Sequence, residues 1–314
     1  MTPDSAQKRF LVLGAGGFIG LNLARRLAAA GQSVTGYGHP PRFPGALEGV
    51  NWIEGDLADT ARIEKTLPEI DCVIHLASSS TPATSDRDPI ADIDENLIST
   101  VKLLQAMVNA GTRRIVFLSS GGTIYGVPEI VPTPETAPTD PSCAYGIVKL
   151  AIEKYIRLFH KRHGLEYASL RVSNPFGPYQ TVTRQQGVVA SFISKAIAGE
   201  VIEIWGDGSA ERDFLFIDDL VEAICAAAGH PAPAHTLNIG SGEGRKISDV
   251  LRAVEAIHGH PINAVFRPEQ PAGVPASILD IAKARDVLGW QPKVKWEAGL
   301  EQTYSWALRE TNSR

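Results

Sequence analysis

Short apolar runs alternate with helical patterns along the first half of the chain, and this alternation limits the possible folds more than any other feature. We predict strands at residues 10–15, 33–37, 51–56, 72–77, 114–120 and 167–173. We predict helices at residues 17–30, 60–67, 92–110 and 145–163. The strands are apolar along most of their length, as in a parallel sheet that helices cover on both faces. The alternation therefore predicts an α/β fold with a Rossmann-type, doubly wound parallel sheet.

Proline and glycine interrupt the second half of the chain more often, so its pattern is less regular. Residues 214–228 are still typical of a helix and residues 235–241 of a strand, and we expect both to return to the main sheet. The predicted domains are therefore interleaved in sequence. They are a dinucleotide-binding domain of residues 1–174 plus 214–241, and a smaller substrate lobe of residues 175–213 and 242–314.

The composition excludes several classes of protein. Of the 314 residues, 44% are hydrophobic and 21% are charged, as in ordinary globular proteins. The net charge of −5 gives no basic surface for a nucleic acid, and no apolar run reaches the ~20 residues of a membrane span. We therefore expect neither nucleic acid nor membrane as a partner.

The three cysteines, Cys72, Cys143 and Cys225, are odd in number and widely spaced. They match neither a disulfide framework nor a zinc site. We therefore expect no metal, and we expect the protein to be located in a reducing cytoplasm.

A glycine-rich turn follows the first predicted strand and precedes the first helix. Gly14, Gly17 and Gly20 have the spacing Gly-x-x-Gly-x-x-Gly. Glycines allow a tight turn and let a pyrophosphate lie against bare backbone, while the helix N-terminus offers free N–H groups. Strand, glycines and helix in this order predict a dinucleotide-binding loop.

The end of the second strand usually selects between NAD and NADP, because an acidic residue there binds the ribose hydroxyls of NAD. This chain has Gly38 at that point, without a carboxylate, and Arg42 follows. Arg42 is either a partner for the 2′-phosphate of NADP or a solvated loop residue. We expect NAD, with NADP as the alternative. Asp56, after the third strand, is either a partner for the adenine amino group or a turn residue.

Tyr145 and Lys149 lie four residues apart at the start of a predicted helix, so they share one face. A free tyrosine has a pKa near ~10. A nearby ammonium group favours the phenolate, so we expect Lys149, together with an oxidised nicotinamide, to lower the pKa of Tyr145. Such a tyrosine takes the proton of an alcohol while hydride leaves the same carbon.

Hydroxyl groups follow in the stretch that ends the fifth strand, at Ser119, Ser120 and Thr123. One of them is expected to bind the substrate oxygen and to share the proton with Tyr145. The alternative for each serine is that it only ends the strand.

These motifs resemble those of the extended short-chain dehydrogenase/reductase family, in its nucleotide-sugar epimerase/dehydratase branch. The resemblance runs from Phe10 to about Leu300. The matching stretches are GAGGFIG (14–20), GDL (55–57), HLAS (75–78), SSGGTIYG (119–126), YGIVK (145–149), LRVSNPFGP (170–178), WGDGSAERDF (205–214), NIGSGEG (238–244) and LDIAKARDVLGWQP (279–292).

The resemblance implies roles for individual residues. Tyr145 would be the catalytic base and Lys149 its partner, and Asn96 would brace the active site. Asn174 would meet the sugar nucleotide and Arg212 would pair with its diphosphate, while Ser277 would be a small gate residue beside the sugar. The cofactor-binding residues expected from these motifs are Gly14, Gly17, Phe18, Ile19, Gly20, Arg42, Asp56, Leu57, Leu76, Ala77, Asn96, Ser119, Tyr145 and Lys149.

The chain departs from the family pattern at the end of the fifth strand. The usual catalytic Ser or Thr aligns with Gly121, and we expect Thr123 to take its role, with Ser119 and Ser120 as alternatives. Dehydratases of this branch carry an Asp-Glu pair where this chain has Gly122 and Thr123, which argues against dehydration.

The resemblance also implies a homodimer formed through the helices that begin near residues 94 and 145. We expect one set of apolar side chains on the second of these helices to form the dimer contact. The alternative is that these side chains pack in the core. The set is Val148, Ile152, Tyr155, Ile156 and Phe159.

Three functions are compatible with these motifs. The leading hypothesis is a nucleotide-sugar 4-epimerase that oxidises a UDP- or dTDP-hexose or deoxyhexose transiently at C4. The alternative is an NADPH-dependent reductase of a nucleotide 4-ketosugar, which Gly38 and Arg42 favour. A non-catalytic NAD(P)-binding sensor is more remote, because a sensor has no need of Tyr145 and Lys149.

Overall fold

The computed structural model describes residues 7–181, 187–231, 234–268 and 274–312. The chain divides into two compact units. The first unit is Met1–Ser120, Pro141–Leu170 and Ile224–Leu237, and the second unit is Gly121–Asp140, Arg171–Ala223 and Asn238–Arg314. Both units are interleaved in sequence, and the domain boundaries expected at residues 174, 214 and 241 stay a prediction.

The elements up to residue 172 begin with a regular series of strands and helices. They are β1 (Arg9–Leu13), α1 (Phe18–Ala29), β2 (Ser33–Gly38), β3 (Asn51–Glu54), α2 (Thr60–Thr66), β4 (Cys72–His75), α3 (Pro82–Arg87), α4 (Pro89–Asp92), α5 (Ser99–Ala110), β5 (Arg114–Ser120), α6 (Ala144–His163) and β6 (Glu166–Val172). A π-helical turn, Ile93–Ile98, joins α4 to α5, and 3-10 turns lie at Pro44–Leu47 and Leu67–Glu69.

The later elements are shorter. They are β7 (Asn174–Phe176), α7 (Val188–Ala198), β8 (Ile202–Trp205), β9 (Glu211–Phe216), α8 (Ile217–Gly229), β10 (Ala234–Ile239), β11 (Gly244–Lys246), α9 (Ile247–His258), β12 (Ala264–Arg267), β13 (Ala276–Ser277), α10 (Ala282–Leu288) and α11 (Trp296–Asn312).

Seven strands form one sheet in the order β10-β6-β5-β4-β1-β2-β3. The pairing is parallel, so that Phe10 of β1 lies opposite Val34 on one side and Cys72 on the other. The strand order reverses between β1 and β4, which is the Rossmann arrangement, and the predicted fold class is confirmed. Ligands of such sheets bind beyond the carboxyl ends of the strands at this reversal. The residues that follow β1, β4 and β5 are therefore the first place to look for chemistry.

The two long helices beside the sheet end where glycines predicted them to end. Gly111 and Gly164 follow α5 and α6 with φ of +78° and +68°, a conformation that suits glycine. The helix predicted at residues 92–110 is less regular than expected, because the π-helical turn Ile93–Ile98 interrupts it. Such turns are frequent at functional sites.

The second unit holds a four-stranded arrangement around β9, which pairs with β7, β11 and β13. The helix predicted at residues 214–228 is wrong at its start, since Phe214–Phe216 belong to β9 and α8 begins at Ile217. A continuous apolar run does not distinguish a buried strand from a buried helix, which is why the pattern was misleading. The strand expected at 235–241 does join the main sheet, as β10.

The apolar face predicted for a dimer lies mostly in the core. Val148, Ile152, Ile156 and Phe159 pack against β5 and α5 in the hydrophobic cluster of the first unit. Tyr155 alone of that set is exposed. The prediction is therefore wrong for the four buried residues, because the same helical spacing that makes an interface also makes a core-facing side.

Within the described ranges, no helix combines the length and the apolar character that crossing a bilayer requires.

Candidate active site

The glycine turn after β1 is closed by backbone contacts. Gly14 N–H donates to Tyr37 O at 2.8 Å, and Gly17 N–H donates to Gly14 O at 3.1 Å. A Cβ on Gly14, whose φ is +84°, would lie 2.9 Å from Ala77 N. A Cβ on Gly20 would lie 2.2 Å from Gly14 O. The chain therefore admits only glycine at residues 14 and 20, and the helix packs directly on the turn.

This turn fits the pyrophosphate of a dinucleotide. Gly17 is the N-cap of α1, and no side chain of the described residues caps the helix. No acidic residue lies in the first turn, so the N–H groups and the positive end of the helix dipole face no competing anion there.

The other cofactor residues expected near the turn lie in the same unit. Phe18 and Ile19 are the first two residues of α1. Leu76 N–H donates to Leu13 O at 3.0 Å. This bond extends the pairing of β4 with β1 by one residue, next to Gly14. Leu57 packs against the core.

The region expected to select the dinucleotide carries no carboxylate at Gly38. Asp56 accepts a hydrogen bond from Ala58 N–H at 2.8 Å, and its second oxygen lies 3.3 Å from His39 Nε2. The guanidinium of Arg42 lies 5.8 Å from the Phe43 ring centroid. Asp56 is thus partly engaged as a turn residue, and Arg42 lies on the loop that follows β2.

Tyr145 and Lys149 lie in the first turns of α6, whose start is held by a hydrogen bond from Ala144 N–H to the Asp86 carboxylate at 2.8 Å. Lys149 is 5% exposed. Its Nζ donates to Leu118 O at 3.2 Å and lies 5.5 Å from the Tyr145 ring centroid. The structure therefore brings the ammonium group to the tyrosine, as the spacing predicted.

Burial dominates the ionisation of this pair. Burial, with a smaller contribution from Asp92, raises the pKa of Tyr145 to about 12, and a hydrogen bond with Ser78 opposes this rise. Burial also lowers the pKa of Lys149 to about 8, against the effect of Asp92. In the chain by itself the loss of solvent dominates the pKa of Tyr145, and the lowering expected from Lys149 together with an oxidised nicotinamide stays a prediction.

A buried carboxylate organises the loop after β4. Asp92 is 2% exposed and accepts hydrogen bonds from Ser80 Oγ and Asn96 Nδ2, both at 2.7 Å. Ser85 donates to its second oxygen. Asn96 also accepts from Ser79 N–H at 3.1 Å. Asn96 thus fixes the loop of residues 78–80. This agrees with the bracing role that was expected for Asn96.

His75 is a second buried titratable group next to Lys149. Its Nε2 lies 2.9 Å from Thr100 Oγ1, and Thr100 in turn donates to Asn96 O at 2.6 Å. Burial and the Lys149 charge lower the pKa of His75 to about 3, so the imidazole is neutral at physiological pH. His75 is therefore part of the support of the site.

The hydroxyls near the end of β5 have different surroundings. Ser119 is buried and donates to Glu153 Oε1 at 2.7 Å. Ser120 is the last residue of β5. In the second unit, Thr123 Oγ1 is buried and has no hydrogen-bond partner within the described ranges. Thr123 is thus the hydroxyl that still needs a partner.

The second unit contains a cavity of about 520 Å³ lined by Asn174 and Arg212. Asn174 Nδ2 donates to Asp213 O at 2.9 Å, and burial lowers the pKa of Arg212. Arg212 is the single cationic side chain among the described residues that line this cavity. Ser277 lies beside Arg212 in the register of β13 and β9. The three expected substrate residues therefore group within one unit.

Sequence reasoning missed four residues of the site: His75, Ser78, Asp92 and Glu153. Asp92 had a detectable signal, because it precedes Asn96 by one helical turn and has no cationic residue at helical spacing. The effect of Ser78 on the pKa of Tyr145 had none, since it joins segments far apart in sequence.

The NAD dependent epimerase/dehydratase family model matches residues 10–240. A UDP-glucose 4-epimerase of Mycolicibacterium smegmatis is 34% identical over 305 residues, which cover 94% of this chain and 97% of that protein.

Two solved structures are similar along nearly the whole chain. One is a UDP-glucose 4-epimerase of Thermotoga maritima with UDP-glucose, with a TM-score of 0.92 and 33% identity, covering 97% of this chain and 99% of that one. The other is a UDP-glucose 4-epimerase of Thermus thermophilus in complex with NAD, with a TM-score of 0.89 and 31% identity, covering 95% and 98%. The chain described here belongs to the NAD dependent epimerase/dehydratase family.

Proposed function

We propose that this chain is a nucleotide-sugar 4-epimerase that acts on a UDP- or dTDP-linked hexose or deoxyhexose with bound NAD. The observation that carries the proposal is the buried pair of Tyr145 and Lys149, in a chain of an NAD-dependent family. The UDP-glucose bound to the similar Thermotoga maritima enzyme supports the substrate class.

Tyr145, as phenolate, removes the proton of the sugar 4-hydroxyl and later returns it. The chemistry that NAD supplies when bound is reversible hydride exchange with the sugar carbon. Because the pKa of Tyr145 is about 12 in the chain by itself, the phenolate needs additional positive charge in the site. Lys149 contributes its ammonium charge and uses one N–H on Leu118 O, which leaves two donors for the nicotinamide ribose.

The cofactor residues follow from the glycine turn. Gly14, Gly17 and Gly20 would hold the pyrophosphate against the backbone, with Phe18 and Ile19 supplying N–H groups at the start of α1. The remaining contacts would come from a set of residues on the neighbouring strand ends. The set is Arg42, Asp56, Leu57, Leu76, Ala77, Asn96 and Ser119.

The substrate residues suit a tightly held diphosphate and a loosely held sugar. Arg212 offers a guanidinium fork for the diphosphate, and Asn174 lines the same cavity. The small Ser277 next to Arg212 leaves room for the 4-keto sugar to turn over. Thr123, whose buried hydroxyl has no partner within the described ranges, would bind the sugar oxygen, with Ser120 as the second candidate.

A second candidate function is the NADPH-dependent reduction of a nucleotide 4-ketosugar. Gly38 in place of a carboxylate and Arg42 on the following loop favour it, because both suit a 2′-phosphate. The chemistry at Tyr145 would be the same, with hydride delivered once in each turnover.

We also propose a homodimer, formed through the exposed apolar residues of these helices, of which the predicted face contributes only Tyr155. Apolar side chains are exposed on α6 at Ile147, Tyr155 and Leu158. The neighbouring α4 and the π-helical turn, which pack against α6, expose further apolar side chains: Ile90, Ile93 and Ile98. Exposed apolar side chains on three elements that pack together suit a second copy of the chain.

The epimerase proposal is tested with purified protein, UDP- or dTDP-hexoses and no added cofactor. We expect the configuration at C4 to change, as followed by NMR, without net change in NAD(P)H absorbance. Tyr145→Phe should lower kcat by at least about a thousandfold while the dinucleotide stays bound. Near-normal turnover by that variant would refute the assignment of the base.

The buried carboxylate of Asp92 leads to a prediction about the pH dependence of activity. Asp92→Asn keeps acceptors for Ser80 and Asn96 but removes the charge that raises the pKa of Tyr145. The pKa of Tyr145 should fall, so the acid limb of kcat/KM moves to lower pH and activity at low pH, relative to the maximum, rises severalfold. The exposed Asp94→Asn on the same segment is the control. An unchanged acid limb in Asp92→Asn would contradict the prediction.

Two measurements test the reductase alternative. They are the identity of the dinucleotide that copurifies with the protein and the affinities of the protein for NADP and NAD. If the chain uses NADP, Arg42→Gln should weaken NADP binding about tenfold in calorimetry and leave NAD binding unchanged. Equal effects on the two dinucleotides would remove the argument for NADP. Stoichiometric consumption of NADPH with a 4-keto sugar would favour the reductase over the epimerase.

The dimer proposal is tested by light scattering after size exclusion. The wild-type chain should have the mass of two copies, and Ile147→Glu should shift it to the mass of one copy. Val127→Glu, an exposed apolar position outside this surface, is the matched control. A wild-type protein with the mass of one copy at micromolar concentration would contradict the dimer.

A further inference from the structure

A buried carboxylate, Asp213, directly follows the expected diphosphate residue Arg212 on β9. Asp213 is 0% exposed. Successive side chains of a strand point to opposite faces, so Arg212 lines the cavity of about 520 Å³ whereas Asp213 does not. Asp213 therefore has no direct access to a ligand in this cavity, although it adjoins the residue that is expected to bind one.

Four donors from two segments converge on this carboxylate. Ser241 N–H and Ser241 Oγ donate to Oδ1 at 2.7 and 2.8 Å. Gly242 N–H and Leu279 N–H donate to Oδ2 at 3.2 and 3.3 Å. Burial raises the pKa of Asp213, and these four hydrogen bonds oppose that rise. Asp213 thus ties β9 to the loop after β10 and to the segment after β13.

The backbone around Asp213 is packed closely enough to leave the carboxylate little freedom. Asn174 Nδ2 donates to Asp213 O at 2.9 Å. On the side-chain face, a Cβ on Gly240 would lie 2.3 Å from Asp213 Oδ2, so residue 240 must lack a side chain. Contacts to its backbone and to its side chain therefore fix the position of Asp213.

The tie to Leu279 matters for the expected substrate residues. Leu279 follows Ser277 by two residues, and Ser277 lies opposite Arg212 in the pairing of β13 with β9. Arg212 Nη1 donates to Glu211 O at 2.7 Å, and no carboxylate of the described ranges forms an ion pair with it. The guanidinium charge thus stays available for an anion, while the hydrogen bond from Leu279 to Asp213 sets the spacing between Arg212 and Ser277.

We propose that Asp213 is a positioning residue for the substrate of this chain, which holds Arg212 in place for the diphosphate and keeps Ser277 at a fixed distance from it. The inference rests on the proposed function, in which Arg212 binds the diphosphate of a nucleotide sugar. Because Asp213 does not line the cavity, it acts through the backbone of β9 and of residues 277–279.

The test is the affinity of Asp213→Asn for a nucleoside diphosphate. Asparagine replaces one acceptor oxygen by an NH2 group, so buried donors lose their acceptor. We expect the affinity for UDP, measured by calorimetry, to fall about tenfold to a hundredfold. The affinity for uridine, which lacks the diphosphate, should fall less than about twofold in an NMR titration. KM for the nucleotide sugar should rise with the loss of UDP affinity, whereas kcat should change less than about threefold.

Asp219→Asn is the matched control. Asp219 is 2% exposed, and its carboxylate accepts from Lys293 N–H at 2.9 Å and from Val294 N–H at 3.0 Å. Its backbone oxygen also accepts from a side chain, Trp290 Nε1, at 3.0 Å. Both variants should lower Tm, because each deprives buried donors of an acceptor. Only Asp213→Asn should weaken UDP binding, which separates positioning from a general loss of stability.

Ser241→Ala tests the same contact with a smaller change, should Asp213→Asn fail to fold. It removes one of the four donors and leaves the carboxylate charged. We expect it to weaken UDP binding about threefold. Wild-type UDP affinity in a folded Asp213→Asn, or in Ser241→Ala where Asp213→Asn does not fold, would overturn the inference. An equal loss of UDP affinity in Asp219→Asn would overturn it as well.

Failure of the proposed function gives a different result. If the wild-type chain binds neither UDP nor dTDP, the proposed substrate class is wrong, and the inference about Asp213 falls with it. If the wild-type chain binds UDP but does not change the configuration of the sugar at C4, only the epimerase proposal is contradicted. The comparison of the variants with UDP then still decides the role of Asp213, since it needs no turnover.

Discussion

Helix α6 is tied to strand β5 by two buried polar contacts, and the rest of the site depends on them. Lys149 Nζ donates to Leu118 O, and Glu153 accepts from Ser119. The two charged residues lie one helical turn apart, so they fix both the height and the rotation of the helix against the strand. Tyr145 lies one turn further toward the N-terminus. Its place follows from the register of α6, whose buried side also carries Val148, Ile152 and Ile156.

The electrostatics of the pair follow from its burial. Removal from water favours the neutral form of each group, so the pKa of Tyr145 is raised to about 12 and that of Lys149 is lowered to about 8. Asp92 opposes deprotonation of both. The chain by itself therefore holds a neutral phenol beside an ammonium group at neutral pH. A base is produced only when more positive charge enters the site, which ties proton removal to cofactor binding.

The sequence was sufficient for the sheet, for the glycine turn and for the Tyr145–Lys149 pair, because each is encoded by spacing within one short segment. It was insufficient where the outcome depends on burial or on distant segments. The sign of the Tyr145 pKa shift required knowing how much solvent is excluded, and the start of α8 required knowing that Phe214–Phe216 pair with β7. The effect of Ser78 on that pKa joins the end of β4 to a helix that follows β5.

The geometry of the sheet places the residues that follow β4 beside those that follow β5. β4 and β5 are parallel neighbours, with His75 opposite Phe117, so the residues that follow them emerge at the same edge. Where Leu279 fills the space at Gly121, the end of β5 offers no side chain at that point. The loop that follows β4 is held by Asp92 and Asn96, which accept hydrogen bonds from Ser80 Oγ and Ser79 N–H.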